Sequence, residues 1–152
     1  MEYKSGALCI VIRNNKILMV KHKRPGQHEY FTLPGGGINN GETPEQAAIR
    51  ELQEECCVSG EIICKLSKYR FTFGDTVFIH TFHIDIGSQE PFLGRDPEKE
   101  HQILTEVKWM ALDEICERDR AFLWAAGLGS IEQFFCELTS WGDDISYPAK
   151  RI

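Results

Sequence analysis

No stretch of the chain approaches the roughly 18 consecutive apolar residues that a membrane helix needs, and no apolar run follows a basic segment at the N-terminus. These two absences exclude a hydrophobic spanning helix and make the cytoplasm the expected location. Cysteine pairs are also missing. Cys9, Cys56, Cys57, Cys64, Cys116 and Cys136 form no C-x-x-C spacing, so a thiolate zinc site or a dithiol redox centre is not indicated. Excess positive charge is lacking too. A formal net charge of -6 argues against broad attachment to nucleic acid or anionic lipid, which relies on Lys and Arg to displace counterions. Small phosphorylated ligands stay open, because a bound cation can supply positive charge locally. Internal repeats and Pro/Gly/Ser-rich linkers are absent as well, and 152 residues with 42% hydrophobic and 26% charged composition fit one globular domain, 1–152.

Ala7 to Ile12 and Ile17 to Val20 are apolar β-rich runs on either side of Asn14-Asn15, which predicts a hairpin. His22 to Tyr30, with Pro25 and Gly26, has the composition of an exposed loop. Phe31 to Leu33 predicts a short strand that runs into Pro34-Gly35-Gly36-Gly37 and a sharp turn. Thr43-Pro44-Glu45-Gln46 then offers an N-cap Thr, a Pro at the first helical position and a Gln three residues after the cap, so a helix from Pro44 to about Cys56 is expected. Glu61 to Phe73 and Thr76 to Ile86, rich in β-branched and aromatic residues, predict a long hairpin turning at Gly74-Asp75. A loop to about His101, a strand at Val107 to Met110 and a helix at Asp113 to Arg118 follow. Ser130-x-x-Gln133, with Ile131, Phe134, Phe135 and Leu138 at helical spacing, predicts a further helix packed on the core. Interleaved strands and helices with antiparallel hairpins give an α/β class with a mixed sheet covered on both faces.

In the helix that starts at Pro44, Glu51, Glu54 and Glu55 stand at i, i+3 and i+4 and share one face, while Ala48, Ile49, Leu52 and Cys56 form a neighbouring apolar stripe. Converging carboxylates repel one another unless something cationic joins them. Oxygen-only donors select hard ions, and Mg²⁺ in particular is held by a few carboxylates together with water and phosphate oxygens. A solvated acidic helix face is the bland alternative, and spacing alone does not displace it. The company of these residues does: a glycine-rich turn before them, a further acid at Glu42 and a base at Arg50.

In this context the segment from Gly36 to Val58 resembles the Nudix hydrolase signature, G-x5-E-x7-R-E-U-x-E-E-x-G-U with U aliphatic. Gly36, Glu42, Arg50, Glu51, Leu52, Glu54, Glu55 and Val58 match in order, and the stretch from Gly41 to Glu55 is especially similar to the MutT branch. The single departure is Cys57, where the family carries Gly. A glycine just past a helix commonly serves a left-handed backbone, so a slightly altered helix end is expected there.

The resemblance, which spans roughly Ala7 to Ile115, implies a Nudix α/β/α sandwich with a mixed central sheet and hydrolysis of a nucleoside diphosphate linked to another moiety. It implies Glu51, Glu54 and Glu55 as metal ligands together with the carbonyl of Gly35, Mg²⁺ as the cofactor with Mn²⁺ as substitute, and Gly36 and Glu42 as structural support of the box. Arg50 is expected to pair with Glu42 or a helix glutamate and hold the carboxylates. The general base is expected to be a helix glutamate or an acid before the last strand, Glu100 first and Glu98 second. The implied substrate is a small nucleotide, a canonical or oxidised nucleoside triphosphate ahead of ADP-ribose or a nucleotide sugar, with Tyr69, Phe71, Phe73, Phe78 and Phe82 as aromatic candidates to stack on a base. A nucleotide-sensing domain without turnover is the alternative of another class, and the retained box glutamates count against it. No membrane or nucleic-acid partner is expected, and a homodimer is compatible with the sequence.

Overall fold

The computed structural model describes residues 5–73, 75–95, 103–116, 119–120, 122–123, 126–132 and 134. Strands β1 (Ser5–Ile10), β2 (Ile12–Arg13), β3 (Lys16–Lys23), β4 (Tyr30–Thr32) and β5 (Gly35–Gly37) precede helix α1 (Pro44–Cys56), and β6 (Glu61–Phe73), β7 (Asp75–Asp85) and β8 (Ile103–Met110) follow it. The chain folds into two sheets. One is mixed, in the order β5-β1-β7-β6, with β1 parallel to β7 and antiparallel to β5. The other is antiparallel: β3 pairs with β2 and β4 along one edge and with β8 along the other.

Local chemistry accounts for the hairpin between β2 and β3. Asn14 and Asn15 both take positive φ, 51° and 61°, as a two-residue primed turn requires, and Asn tolerates that region better than most residues. Between β1 and β2 the chain passes from one sheet to the other at Val11, whose carbonyl accepts the Leu18 N–H at 3.0 Å. β3 is apolar on both faces. Leu18 and Val20 join Ala48, Leu52 and Phe82 in one core, and Ile17 and Met19 join Leu112, Leu123 and Phe134 in another. Two cores on opposite sides explain why β3 reads as a continuous hydrophobic run instead of an alternating one.

The helix start follows the expected pattern: Thr43 Oγ1 accepts the Gln46 N–H at 3.1 Å, Gln46 Oε1 accepts the Thr43 N–H at 3.0 Å, and Pro44 sits at the first helical position. Several expectations shift. His22 lies in β3 and is buried, not in a loop. Gly35 to Gly37 form an edge strand against β1, and the turn comes after them, at Gly41 with φ 80°. Of the helix expected over Asp113 to Arg118, the described part is one 3₁₀ turn, Leu112–Glu114, with Ile115 extended, and Glu117 and Arg118 lie outside the described residues. Leu112 and Ile115 are both buried in the second core, and one tight turn suffices to aim residues three apart the same way. Ser130 closes a 3₁₀ turn and Ile131 is extended, and of the residues that follow, the described Glu132 and Phe134 are helical, as expected. Phe134 buries fully, while Gln133, Phe135, Leu138 and the tail from Trp141 lie outside the described residues.

The helix end is not altered by Cys57. It takes the left-handed conformation itself, φ 56° and ψ 36°, and its N–H reaches the Gln53 carbonyl at 3.1 Å. A side chain in that region costs about 1–2 kcal/mol, part of which glycine returns through its freer unfolded chain. Cys57→Gly is therefore expected to stabilise the fold by about 1 kcal/mol, read as a rise in Tm. An unchanged or lower Tm would show that the cap is relaxed around cysteine.

Candidate active site

Packing α1 on the mixed sheet carries more than its apolar stripe inward. Ala47, Ala48, Leu52 and Cys56 are buried against it, and so are Glu51 and Glu55, each with 0% exposure. The acidic face is thus split. Only Glu54 keeps partial access to solvent, with its side chain 25% exposed. Burying an ionised carboxylate costs several kcal/mol unless charge and hydrogen bonds offset it, and the structure shows what faces these two. Glu55 Oε1 accepts the backbone N–H of Gly35 at 2.7 Å. Glu51 Oε1 accepts from Arg50 Nη1 at 3.1 Å, and the same nitrogen donates to Glu54 Oε2 at 3.2 Å.

Arg50 is tied elsewhere as well. Its Nε and Nη2 donate to the two oxygens of Glu42 at 2.8 and 3.0 Å, a bidentate pair of the strongest kind. Nη2 also donates to the Gly37 carbonyl at 2.8 Å. Its hydrogen bond to Glu42 comes first among the causes that hold the guanidinium protonated above its usual range, and the same bond holds the Glu42 carboxyl below its own. One side chain thus links the loop before α1, the end of β5 and two carboxylates of the helix.

The glycines of β5 make the approach possible. A Cβ on Gly36 would fall on the Glu51 carboxylate, 2.6 Å from its Cδ, and one on Gly35 would lie 2.7 Å from Leu8 Cδ2. Gly36 therefore backs directly on a buried carboxylate. Cys9 and Cys56 are buried free thiols beside the same glutamates, and desolvation, reinforced by the charge of Glu55, pushes both well above the usual thiol range. They remain protonated, and Cys9 Sγ reaches the Ala48 carbonyl at 3.2 Å as a packing contact.

The structure thus places Glu51, Glu54, Glu55, Arg50, Glu42, Gly35 and Gly36 in one region. Among the described residues, no group of three or more His, Cys, Asp or Glu side chains is arranged around a common point to hold an ion. Glu51 and Glu54 meet instead at Arg50 Nη1. Their donor chemistry, carboxylate oxygens without nitrogen or sulfur, suits a hard divalent cation. Glu98 and Glu100 lie outside the described residues.

A cavity of about 400 Å³ opens beside Gly35 to Gly37. Sequence reasoning did not find it, because its walls come from segments far apart in the chain and mostly apolar, including Leu8, Tyr30, Phe31, Ile79 and Phe122. Of the aromatic candidates, Tyr69 lines the cavity, Phe82 is wholly buried in the core, and Phe78 lies beneath Lys68 with Nζ 5.1 Å from the ring centre. The side chains of Phe71 and Phe73 fall outside the described residues. Two polar groups are fixed in the wall. His22 Nε2 lies 2.8 Å from Thr32 Oγ1 with its ring stacked on Tyr30, and Asp119, 6% exposed, accepts the Phe31 N–H at 3.2 Å. Asp119 had no motif to announce it.

Comparison with known proteins agrees with this fold. The family model described as the NUDIX domain matches residues 2–129. The RNA pyrophosphohydrolase of Psychromonas ingrahamii is 46% identical over 61 residues, which is 40% of this chain and 33% of that protein. The 8-oxo-dGTP diphosphatase of Escherichia coli is 37% identical over 71 residues, 45% of this chain and 55% of that one. The chain thus spans 33% of the first relative's length and 55% of the second's. A NUDIX hydrolase from Nitrosomonas europaea superposes with a TM-score of 0.65 over 91% of this chain and 90% of that one, at 20% identity, a likeness of fold alone.

The Glu42–Arg50 pair has a pH signature. Because folding lowers the Glu42 value from its ordinary 4.5, its contribution is present above that value and is lost as pH falls through the lower, folded-state one. Thermal melts of wild type and Glu42→Gln between pH 7 and pH 3 should show a shallower acid loss in the variant. Parallel curves would mean that the pair carries no net stability.

Proposed function

The chain belongs to the Nudix family, and from that membership we propose that it hydrolyses the diphosphate linkage of a small nucleotide, a canonical or oxidised nucleoside triphosphate first, with Mg²⁺ as cofactor and Mn²⁺ as substitute. The observation that carries this reading is the juxtaposition of Glu51, Glu54 and Glu55 with the Gly35 to Gly37 strand that also walls the cavity. A nucleoside held in the cavity would present its phosphates to the carboxylate side of those glycines. The name 8-oxo-dGTP diphosphatase, carried by one relative, is that of an enzyme for a nucleoside triphosphate. All box glutamates are present, which favours turnover over nucleotide sensing.

In this reading Glu51, Glu54 and Glu55, with the carbonyl of Gly35, hold the metal. When bound, it offsets charge building on the phosphate oxygens and lowers the pKa of a coordinated water. Arg50 keeps the carboxylates in place through its bonds to Glu42, Glu51 and Glu54 and is kept protonated by them. Aromatic and aliphatic cavity walls exclude water from the nucleoside end, and burial raises Tyr69 so that its phenol keeps its proton. For the proton of the attacking water, Glu100 is our first candidate and Glu98 our second. Arg95, five positions before Glu100, is bonded through its N–H to the Glu54 carbonyl at 2.8 Å. Five residues of extended chain reach about 17 Å, enough to bring Glu100 back to the helix. One domain across 1–152 belongs to the same reading.

Glu54→Gln and Glu55→Gln should each lower Mg²⁺-dependent hydrolysis at least ~100-fold, the upper end of what outer partners of metal ligands cost. The assay releases phosphate or pyrophosphate from a panel of nucleoside triphosphates, ADP-ribose, nucleotide sugars and 5′-triphosphorylated RNA. Near wild-type rates in both variants would overturn the metal assignment. Preference for ADP-ribose or a nucleotide sugar would overturn the choice of substrate.

A further inference from the structure

A helix leaves its last four carbonyls without intrahelical partners, and at the end of α1 three of the four are met from outside. The Gln53 carbonyl accepts from Cys57, next in the chain. The Glu54, Glu55 and Cys56 carbonyls accept the N–H groups of Arg95, Gly94 and Phe92 at 2.8, 2.8 and 3.1 Å. The segment Phe92 to Arg95 thus climbs back along the last turn and caps it with backbone alone.

Its closest approach is at Gly94. A Cβ there would land on the Glu54 carbonyl oxygen, 2.9 Å from the Glu54 carbonyl carbon and 3.1 Å from that of Glu55. These are helix backbone atoms with no freedom to swing aside, so no side chain fits. The segment before it is anchored as well. Gln89 exchanges hydrogen bonds with the backbone of Ser59 at 3.0 and 2.8 Å, and Arg13, on β2, donates to the carbonyls of Gly87 and Gln89 at 2.8 and 2.7 Å. Arg13 in turn lies over the Trp109 ring of β8 at 4.8 Å. The antiparallel sheet is therefore connected to the helix end through this segment.

We propose that Phe92 to Arg95 is a brace that sets the position of Glu54 and Glu55, and that Gly94 is a positioning residue of the metal site. The inference rests on the metal-binding reading above. The last turn of α1 has no basic side chain to oppose the negative end of the helix dipole, yet it carries two carboxylates. Three inward-facing amides supply partial positive charge at that end and fix the backbone from which both side chains project. Displacing the brace moves the donors relative to Glu51, which is carried one turn earlier, without removing any of them.

The test is calorimetric titration of the full chain with Mn²⁺ alone, so that binding is read without turnover. Gly94→Ala should weaken Mn²⁺ binding about 10-fold, the scale on which outer partners act on metal ligands. Arg13→Ala, which releases the anchor at the surface without touching Gly94, should weaken it in the same direction by a smaller factor. Leu128→Ala, which opens the second core, should lower Tm and leave Mn²⁺ binding at the wild-type value, separating positioning from general loss of stability. Wild-type affinity in folded Gly94→Ala overturns the brace. Where Gly94→Ala does not fold, unchanged affinity in Arg13→Ala does so. Loss of binding in Glu54→Gln together with wild-type binding in Gly94→Ala rejects the brace alone, whereas wild-type binding in Glu54→Gln rejects the metal reading beneath it.

Discussion

Two carboxylates, Glu51 and Glu55, lie under a helix on the same side as its apolar residues, and most of what surrounds them follows from keeping them there. An ionised group in that position is tolerable only where donors face it. Gly35 turns its amide toward Glu55, and Arg50 places a charged nitrogen between Glu51 and Glu54. The glycine strand is needed for the first contact and Glu42 for orienting the second. The fold around the site is thus arranged to tolerate charge more than to maximise burial of hydrocarbon.

How much of this can be read from the residues depends on the range of the interaction. The start of α1 is written in four consecutive residues, Thr43 to Gln46, and the structure reproduces the capping box bond for bond. The Glu42, Arg50 and glutamate pattern is nearly as local, spread over fewer than four helical turns and a loop. The hairpin of β6 and β7 follows from composition, and the primed turn at Asn14-Asn15 from the residue type that tolerates positive φ.

Interactions between distant backbones left no such trace. The Phe92 to Arg95 brace uses peptide groups that every sequence has, and Gly94 looks like any loop glycine until the carbonyl of Glu54 appears opposite it. The cavity is hidden for a related reason: its residues were ordinary strand and loop hydrophobics until two sheets placed them around a common space. The short turn at Leu112–Glu114 shows the converse error. A helix was expected from Asp113, and the burial of Leu112 and Ile115 required only one turn.

The difference in how the two halves of the site are wired bears on how such a protein can change over generations. Arg50 joins three acids and a carbonyl, so a replacement at any one of these positions alters the charge balance of the others, and acceptable changes must arrive together. The cavity walls are drawn from scattered positions that mostly share apolar contact and little hydrogen bonding, so they can be exchanged singly. Lineages built on this plan are free to drift in what they admit while the chemistry is inherited as an indivisible block.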